Sequence, residues 1–176
     1  MPLVVLLRGV NVGGHRALRP AAVARQLEHL GAVNIGAAGT FVIQQPITRA
    51  GLRAELSRWL PFECEITICR GSEVARLVSR DPFANERGGP QVVRFVRVLS
   101  RKPLSEPALP MRLPASGRWL VKLLARHERF VVGLYRRHMR VIGYLGALDR
   151  LFGVPGTTRN WSTILAITKA LAERRV

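Results

Sequence analysis

The chain has 176 residues, 48% of them apolar, and a formal net charge of +17 from 28 basic against 11 acidic residues. That length holds one domain with a sizeable core or two small lobes, and the apolar share excludes a disordered chain. No run reaches the ~18 apolar residues of a membrane span, so no membrane partner is expected, while the charge keeps anionic partners, nucleic acid included, under consideration.

The opening MPLVVLLRGVNVGG reads as a strand and its loop rather than a signal peptide: its apolar run is short, no basic residue precedes it, and Arg8 and Asn11 break the stretch after it. Residues 3–7 read as a buried first strand. Pro20 opens a helix with Val23, Leu27 and Leu30 on one face, closed by Gly31. Residues 33–36 and 40–44 read as short strands around AAG. Thr48 caps a helix with Leu52, Leu56, Trp59 and Leu60 on one face, and Pro61 stops it. FECEITIC alternates with period two and reads as a strand, completing a β-α-β-β-α-β order of the split βαβ, ferredoxin-like kind.

Ser72 is placed to cap a further helix that ends at Asp81-Pro82, and NERGGP reads as a linker. Residues 91–99 form a strand, and Pro103, Pro107, Pro110 and Pro114 then forbid any long helix. Residues 118–136 read as a hairpin about a short HE turn, although Arg118, Lys122, Arg126 and Arg129 also share a helical face. LGALDRLFG is a short helix stopped by Gly153, and the final helix begins within TTRNW, with Trp161, Ile164, Leu165, Ile167 and Leu171 on its apolar arc. The expectation is an α+β chain of two ferredoxin-like, βαββα-type lobes, 1–86 and 91–176, the second degraded and carrying the terminal helix, or one compact unit.

Cys64 and Cys69 fall on opposite faces of one strand, where a disulfide does not form readily, so reduced thiols and a cytoplasmic location are expected. No metal-ligand spacing occurs among the histidines and cysteines. Only Lys102, Lys122 and Lys169 are lysines, so the arginine surplus reads either as a binding face or as a composition bias.

Two polar constellations stand out. RGVNVGGHR, residues 8–16, has glycines that let a backbone approach an anion, with Arg8, Asn11, Gly13, Gly14 and Arg16 as candidate ligand contacts. Its spacing matches neither GxGxxG nor GxxxxGK[ST], so no nucleotide cofactor is assigned, and a tight turn held by Asn11 explains it equally. GTTRNWSTIL, residues 156–165, gathers Thr157, Thr158, Arg159, Asn160 and Thr163 where a helix is expected to start. A cap needs one such residue; the surplus, and an arginine opposing the helix dipole, suit a bound carboxylate or phosphate or an internal acid. No nucleophile–base pair supports catalysis, so whether the protein is an enzyme stays open.

LLRGVNVGG, DPF and TTRNWST together resemble the bacterial proteins catalogued as domain of unknown function 1697. The resemblance implies a compact α+β fold of ferredoxin-like pieces and no known activity. It draws attention to Arg8, Gly9, Asn11, Gly13, Gly14 and to Thr157, Thr158, Arg159, Asn160 and Trp161. The chain departs from the family's QSGN-like stretch with AAGT at residues 37–40, keeping only Gly39, and has His15 where a lysine or another polar residue is frequent. The leading expectation is a small anionic ligand held between the glycine loop and the TTRNW stretch. The alternatives are a nucleic-acid module using Arg118, Lys122, Arg126, Arg129, Arg136, Arg137 and Arg140, or a purely structural role for both motifs.

Overall fold

Residues 1–12, 14 and 16–173 are described by a computed structural model; the candidate Gly13 and the departure His15 lie outside the described residues. The chain is α+β with two antiparallel sheets and divides into two units, one made of Met1–Ser79 with the segment from Thr163 onward, the other of Arg80–Ser162. The change of unit comes before the NERGGP turn, and the terminal helix, expected in the second lobe, belongs from Thr163 on with the first.

In the first unit, β1 (Leu3–Leu7) is buried along its whole length because it lies inside the sheet, between β3 (Thr40–Ile43) and β4 (Ile66–Arg70). With β2 (Ala32–Ile35) the order is β2-β3-β1-β4, and Val5 sits opposite both Phe41 and Ile68. The helix expected to run from Pro20 to Gly31 is instead α1 (Pro20–Gln26) followed by a 3₁₀ turn over Glu28–Leu30, with Gly31 in the left-handed region. In α2 (Arg49–Trp59) the Thr48 hydroxyl accepts from the Gly51 amide at 3.0 Å, and Leu52 and Leu56 are fully buried. Trp59, expected on that face, is exposed, with the Arg58 guanidinium 5.3 Å from its ring centre. Helix α3 (Gly71–Ser79) starts before Ser72, and Glu73 does the capping by accepting from the Arg70 amide at 2.6 Å. Leu3, Val5 and Leu7 join Val23, Leu27, Leu52 and Leu56 in one core. Both cysteines are free, and Cys64 precedes β4 rather than sharing it.

The second unit does not repeat that order. It runs β5 (Val92–Leu99), β6 (Met111–Leu113), β7 (Val121–His127), β8 (Phe130–Arg136), α4 (Val141–Phe152) and β9 (Gly156–Asn160), in a sheet ordered β6-β7-β8-β5-β9. No helix forms between β5 and β6 among the described residues, as the prolines dictate, and a short edge strand takes its place. The β7–β8 hairpin forms, with its turn at Glu128 and Arg129. Gly133 on β8 is required by packing: a Cβ there would lie 2.6 Å from the Lys122 carbonyl and 2.7 Å from the Phe95 ring, so even alanine would collide with backbone.

The main correction concerns GTTRN. It is strand β9, paired antiparallel with β5, so that Thr157 faces Val98 and Arg159 faces Val96 in register. Helix α5 (Trp161–Ala172) begins only after it, with Ile164, Ile167 and Ala170 buried and Leu165 exposed. Among the described residues no helix is long and apolar enough to cross a membrane.

Candidate functional site

The open end of the β7–β8 hairpin and the start of α4 enclose a cleft of about 550 Å³, within the range of ligand pockets. Its chemistry comes from the stretch RRHMR at residues 136–140 and from Arg118 before β7. Arg136 ends β8, where its amide donates to the Leu120 carbonyl at 2.9 Å and its Nε donates to the Trp119 carbonyl at 2.9 Å. Its guanidinium lies 4.0 Å from the centre of the Trp119 ring, a stacked cation–π contact that fixes the plane of the group. Arg137 is next, its amide bonded to the Gln91 carbonyl at 2.9 Å. The His138 Nδ1 accepts from the Arg140 amide at 3.1 Å, and α4 then starts with Val141 anchored in the core and Tyr144 one turn further on.

Arg118, Arg136, Arg137 and Arg140 all line this cleft, and among the described residues none of the four is paired with a carboxylate. The segment 80–162 contains five acidic residues, Asp81, Glu86, Glu106, Glu128 and Asp149, and none is in the lining. The remaining wall is apolar or neutral: Leu120, Pro114, Tyr144 and Gln91. Like charges gathered without a counter-charge repel one another and attract an anion, which a bidentate guanidinium fork recognises geometrically.

The glycine loop has a different balance. Its cleft, about 470 Å³, is lined by Arg8 and Arg16 but also by Glu63 and Glu65, with Gly9 and Cys64. Arg8 Nη1 donates to Glu65 Oε2 at 3.1 Å. Asn11 has φ 56° and uses both ends of its amide for loop closure, Nδ2 donating to the Ala37 carbonyl at 2.8 Å and Oδ1 accepting from the Leu18 amide at 2.7 Å. Gly14 and Arg16 also have positive φ, and both are exposed. The AAGT segment therefore meets the loop through backbone: the Ala37 carbonyl holds Asn11, and the Gly39 carbonyl accepts from the Leu7 amide at 2.8 Å. A Cβ on Gly39, whose φ is 81°, would lie 2.9 Å from both Leu7 and Val10, which accounts for the one residue kept there. Burial pushes the Cys64 thiol up, with the nearby Arg16 opposing, so this thiol is not primed as a nucleophile.

The TTRNW stretch spends its polarity inside its own unit. Thr157 and Arg159 are buried. The Thr158 hydroxyl accepts from Arg97 Nη1 at 3.0 Å, and Arg97 is also ion-paired with Asp149, whose Oδ1 accepts from the Gly156 amide at 3.3 Å. Arg159 Nη1 donates to the Thr158 carbonyl at 2.9 Å, and burial pushes its guanidinium down to about 10. Asn160 Oδ1 accepts from the Tyr135 hydroxyl at 3.1 Å, and Trp161 packs edge-on against Phe83 of the DPF stretch, 5.0 Å between ring centres. Thr163 is half-buried in α5 and belongs to the first unit.

The family model for protein of unknown function DUF1697 matches residues 1–116. The chain belongs to that family. The matched span takes in the glycine loop and the DPF stretch; TTRNWST and most of the arginine cleft lie beyond it. The solved structure of conserved bacterial protein SP0830 from Streptococcus pneumoniae is similar over 97% of this chain and 98% of its own, at 14% identity and a TM-score of 0.60, a likeness of fold alone. No curated protein matches the sequence. In this family member the cleft arginines were legible as part of a basic face, whereas the contributions of Gln91, Pro114, Leu120, His138 and Tyr144 were not. For Pro114, Leu120, His138 and Tyr144 the sequence signal was proximity to Arg118 or to RRHMR, and Gln91 had none.

Proposed function

We propose that the protein binds a small phosphate- or carboxylate-bearing ligand in the cleft between the open end of the β7–β8 hairpin and the start of α4. One observation carries this reading: four arginines line a single concavity without a carboxylate partner among the described residues. The start of α4 adds to it, because a helix N-terminus with no acid in its first turn favours a negative guest. The glycine-loop residues Arg8 and Arg16 are the weaker candidates, since two glutamates share their cleft.

Of the residues that would make a longer nucleic-acid face, Arg126 is ion-paired with Glu106, and Arg129 donates to the carbonyls of Leu99 and Ser100. What is left is compact, which favours a small ligand over a strand. The test is isothermal titration of the full chain with pyrophosphate and citrate at low salt. Each charge-assisted hydrogen bond is worth about 1.5–3 kcal/mol, so Arg136→Ala should weaken the bound anion roughly tenfold to a hundredfold. Arg8→Gln should leave it unchanged. Binding abolished by Arg8→Gln and indifferent to Arg136→Ala would return the site to the glycine loop.

A further inference from the structure

We infer that the ligand of this cleft is a nucleoside polyphosphate, an inference that rests on the anion-binding reading above and adds to it. The argument begins with the count of donors. Each guanidinium carries five N–H groups, and one phosphate accepts only a few of them in bidentate geometry. Arg118, Arg136, Arg137 and Arg140 together exceed what a single phosphate can satisfy, whereas a chain of two or three phosphates spreads its oxygens over several forks.

Arg136 is the fixed member of the set. Its Nε is bonded to the Trp119 carbonyl and its plane is held on the indole, so its two Nη groups are left for a ligand without further ordering. Arg118, Arg137 and Arg140 are exposed and close on the ligand from the rim. That division suits a phosphate chain seated at one end and wrapped along its length.

The rest of the wall has no use for an inorganic anion. Leu120 and Pro114 are apolar, and besides the exposed His138 imidazole the lining holds the half-buried Tyr144 ring on α4. A flat heterocycle can pack on such a ring and cover the apolar wall. Gln91 adds a side-chain amide with no partner among the described residues, a donor and an acceptor for sugar hydroxyls or a base edge. An extended strand fits less well, because single strands are held by a succession of aromatic platforms, and among the described residues the lining offers only Tyr144 and the His138 imidazole.

The experiment is calorimetric titration of the full chain at low salt with adenosine triphosphate, pyrophosphate, inorganic phosphate, adenosine and a short oligothymidylate. The triphosphate should bind tightest, pyrophosphate roughly tenfold more weakly, and phosphate weaker again by a similar factor. Tyr144→Leu should erase the advantage of the triphosphate over pyrophosphate while leaving pyrophosphate itself unchanged, which also certifies a folded cleft. Pyrophosphate binding as tightly as the triphosphate would overturn the nucleoside part. Phosphate equal to pyrophosphate would overturn the polyphosphate part, and an oligonucleotide binding tighter than the triphosphate would replace the inference with a strand. In those three outcomes the anion-binding reading survives; failure of every anion, citrate included, sinks that reading as well.

Discussion

The two ends of the β7–β8 hairpin carry nearly the same residues and put them to opposite use. At the turn, Arg126 meets Glu106 and donates to the Glu128 carbonyl at 2.5 Å, while Arg129 donates to the Leu99 and Ser100 carbonyls at 3.0 and 2.7 Å. At the open end, Arg118, Arg136 and Arg137, joined by Arg140, surround a cleft with no acid in its wall among the described residues. The lesson is that arginine density does not mark a site. An arginine ringed by acceptors of its own chain is part of the fold, and one held rigid without a counter-charge is available to a ligand. The buried arginines of β5 and β9 fall on the first side of that line: Arg97 has Asp149 and Thr158, and Arg159 has the Thr158 carbonyl.

Removing a counter-charge on the structural side should produce the largest effect. Arg97 is 4% exposed and Asp149 29%, so Asp149→Ala strands a nearly buried guanidinium. The expected loss is about 3 kcal/mol of unfolding free energy in urea denaturation, with binding in the cleft retained at temperatures where the variant is folded. Next comes Arg159→Ala, which removes a large side chain at 8% exposure and should cost about 2 kcal/mol without changing any anion affinity. This variant also carries a pH test. With the Arg159 guanidinium lowered to about 10 by burial, the folded state releases that proton before the unfolded state does. Between pH about 10 and the ordinary arginine value the unfolded chain binds more protons, so this contribution to stability rises with pH. The wild type should gain on Arg159→Ala between about pH 8 and about pH 11; a gap that narrows instead would contradict the desolvated cation.

The same line explains what could be read from the sequence. The apolar runs and the period-3.6 helix of the first unit were legible, because β1, β3, α2 and β4 are governed by local pattern and by one cap, Thr48. GTTRN was not. Thr and Asn are at once good cap formers and, in the case of Thr, good strand formers, and the pairing that decides between them is with β5, about sixty residues earlier, with Arg97 opposite Thr158 at the centre of the ladder. Helix α4 begins at Val141 rather than near Leu145 because Val141 is buried in the core, which outweighs the poor helix propensity of Gly143 and Gly146. The cleft was half legible: charge shows its arginines, but the solitude that gives them meaning is a three-dimensional property, set by where Glu106 and Asp149 do not go.

Smaller effects should separate the hairpin ends directly. Arg129→Ala leaves two carbonyls short of a donor in a partly buried place, at a cost of about 1–2 kcal/mol. Arg137→Ala, at the open end and exposed, should stay within about 0.5 kcal/mol of wild type while weakening anion binding. Equal losses of stability at the two ends would erase the distinction between a structural and a ligand-facing arginine.

The finest test lies at His127, the last residue of β7 beside the turn. Burial lowers its imidazole below the usual histidine value, and the charge of Arg80 lowers it further. Folded His127 is therefore neutral where the unfolded chain is already taking up a proton. As pH falls through the ordinary value near 6.5, the unfolded state binds more protons and stability is lost; above that value the contribution is fully present. His127→Gln should flatten the acid limb of the stability profile between about pH 7 and about pH 5, by a few tenths of a kcal/mol at this partly exposed position. At this end of the hairpin the Arg80 charge adds to burial in disfavouring a protonated His127. An acid limb unchanged by His127→Gln would mean that neither burial nor the Arg80 charge holds the imidazole down. The contrast between the two ends would then rest on hydrogen bonding alone.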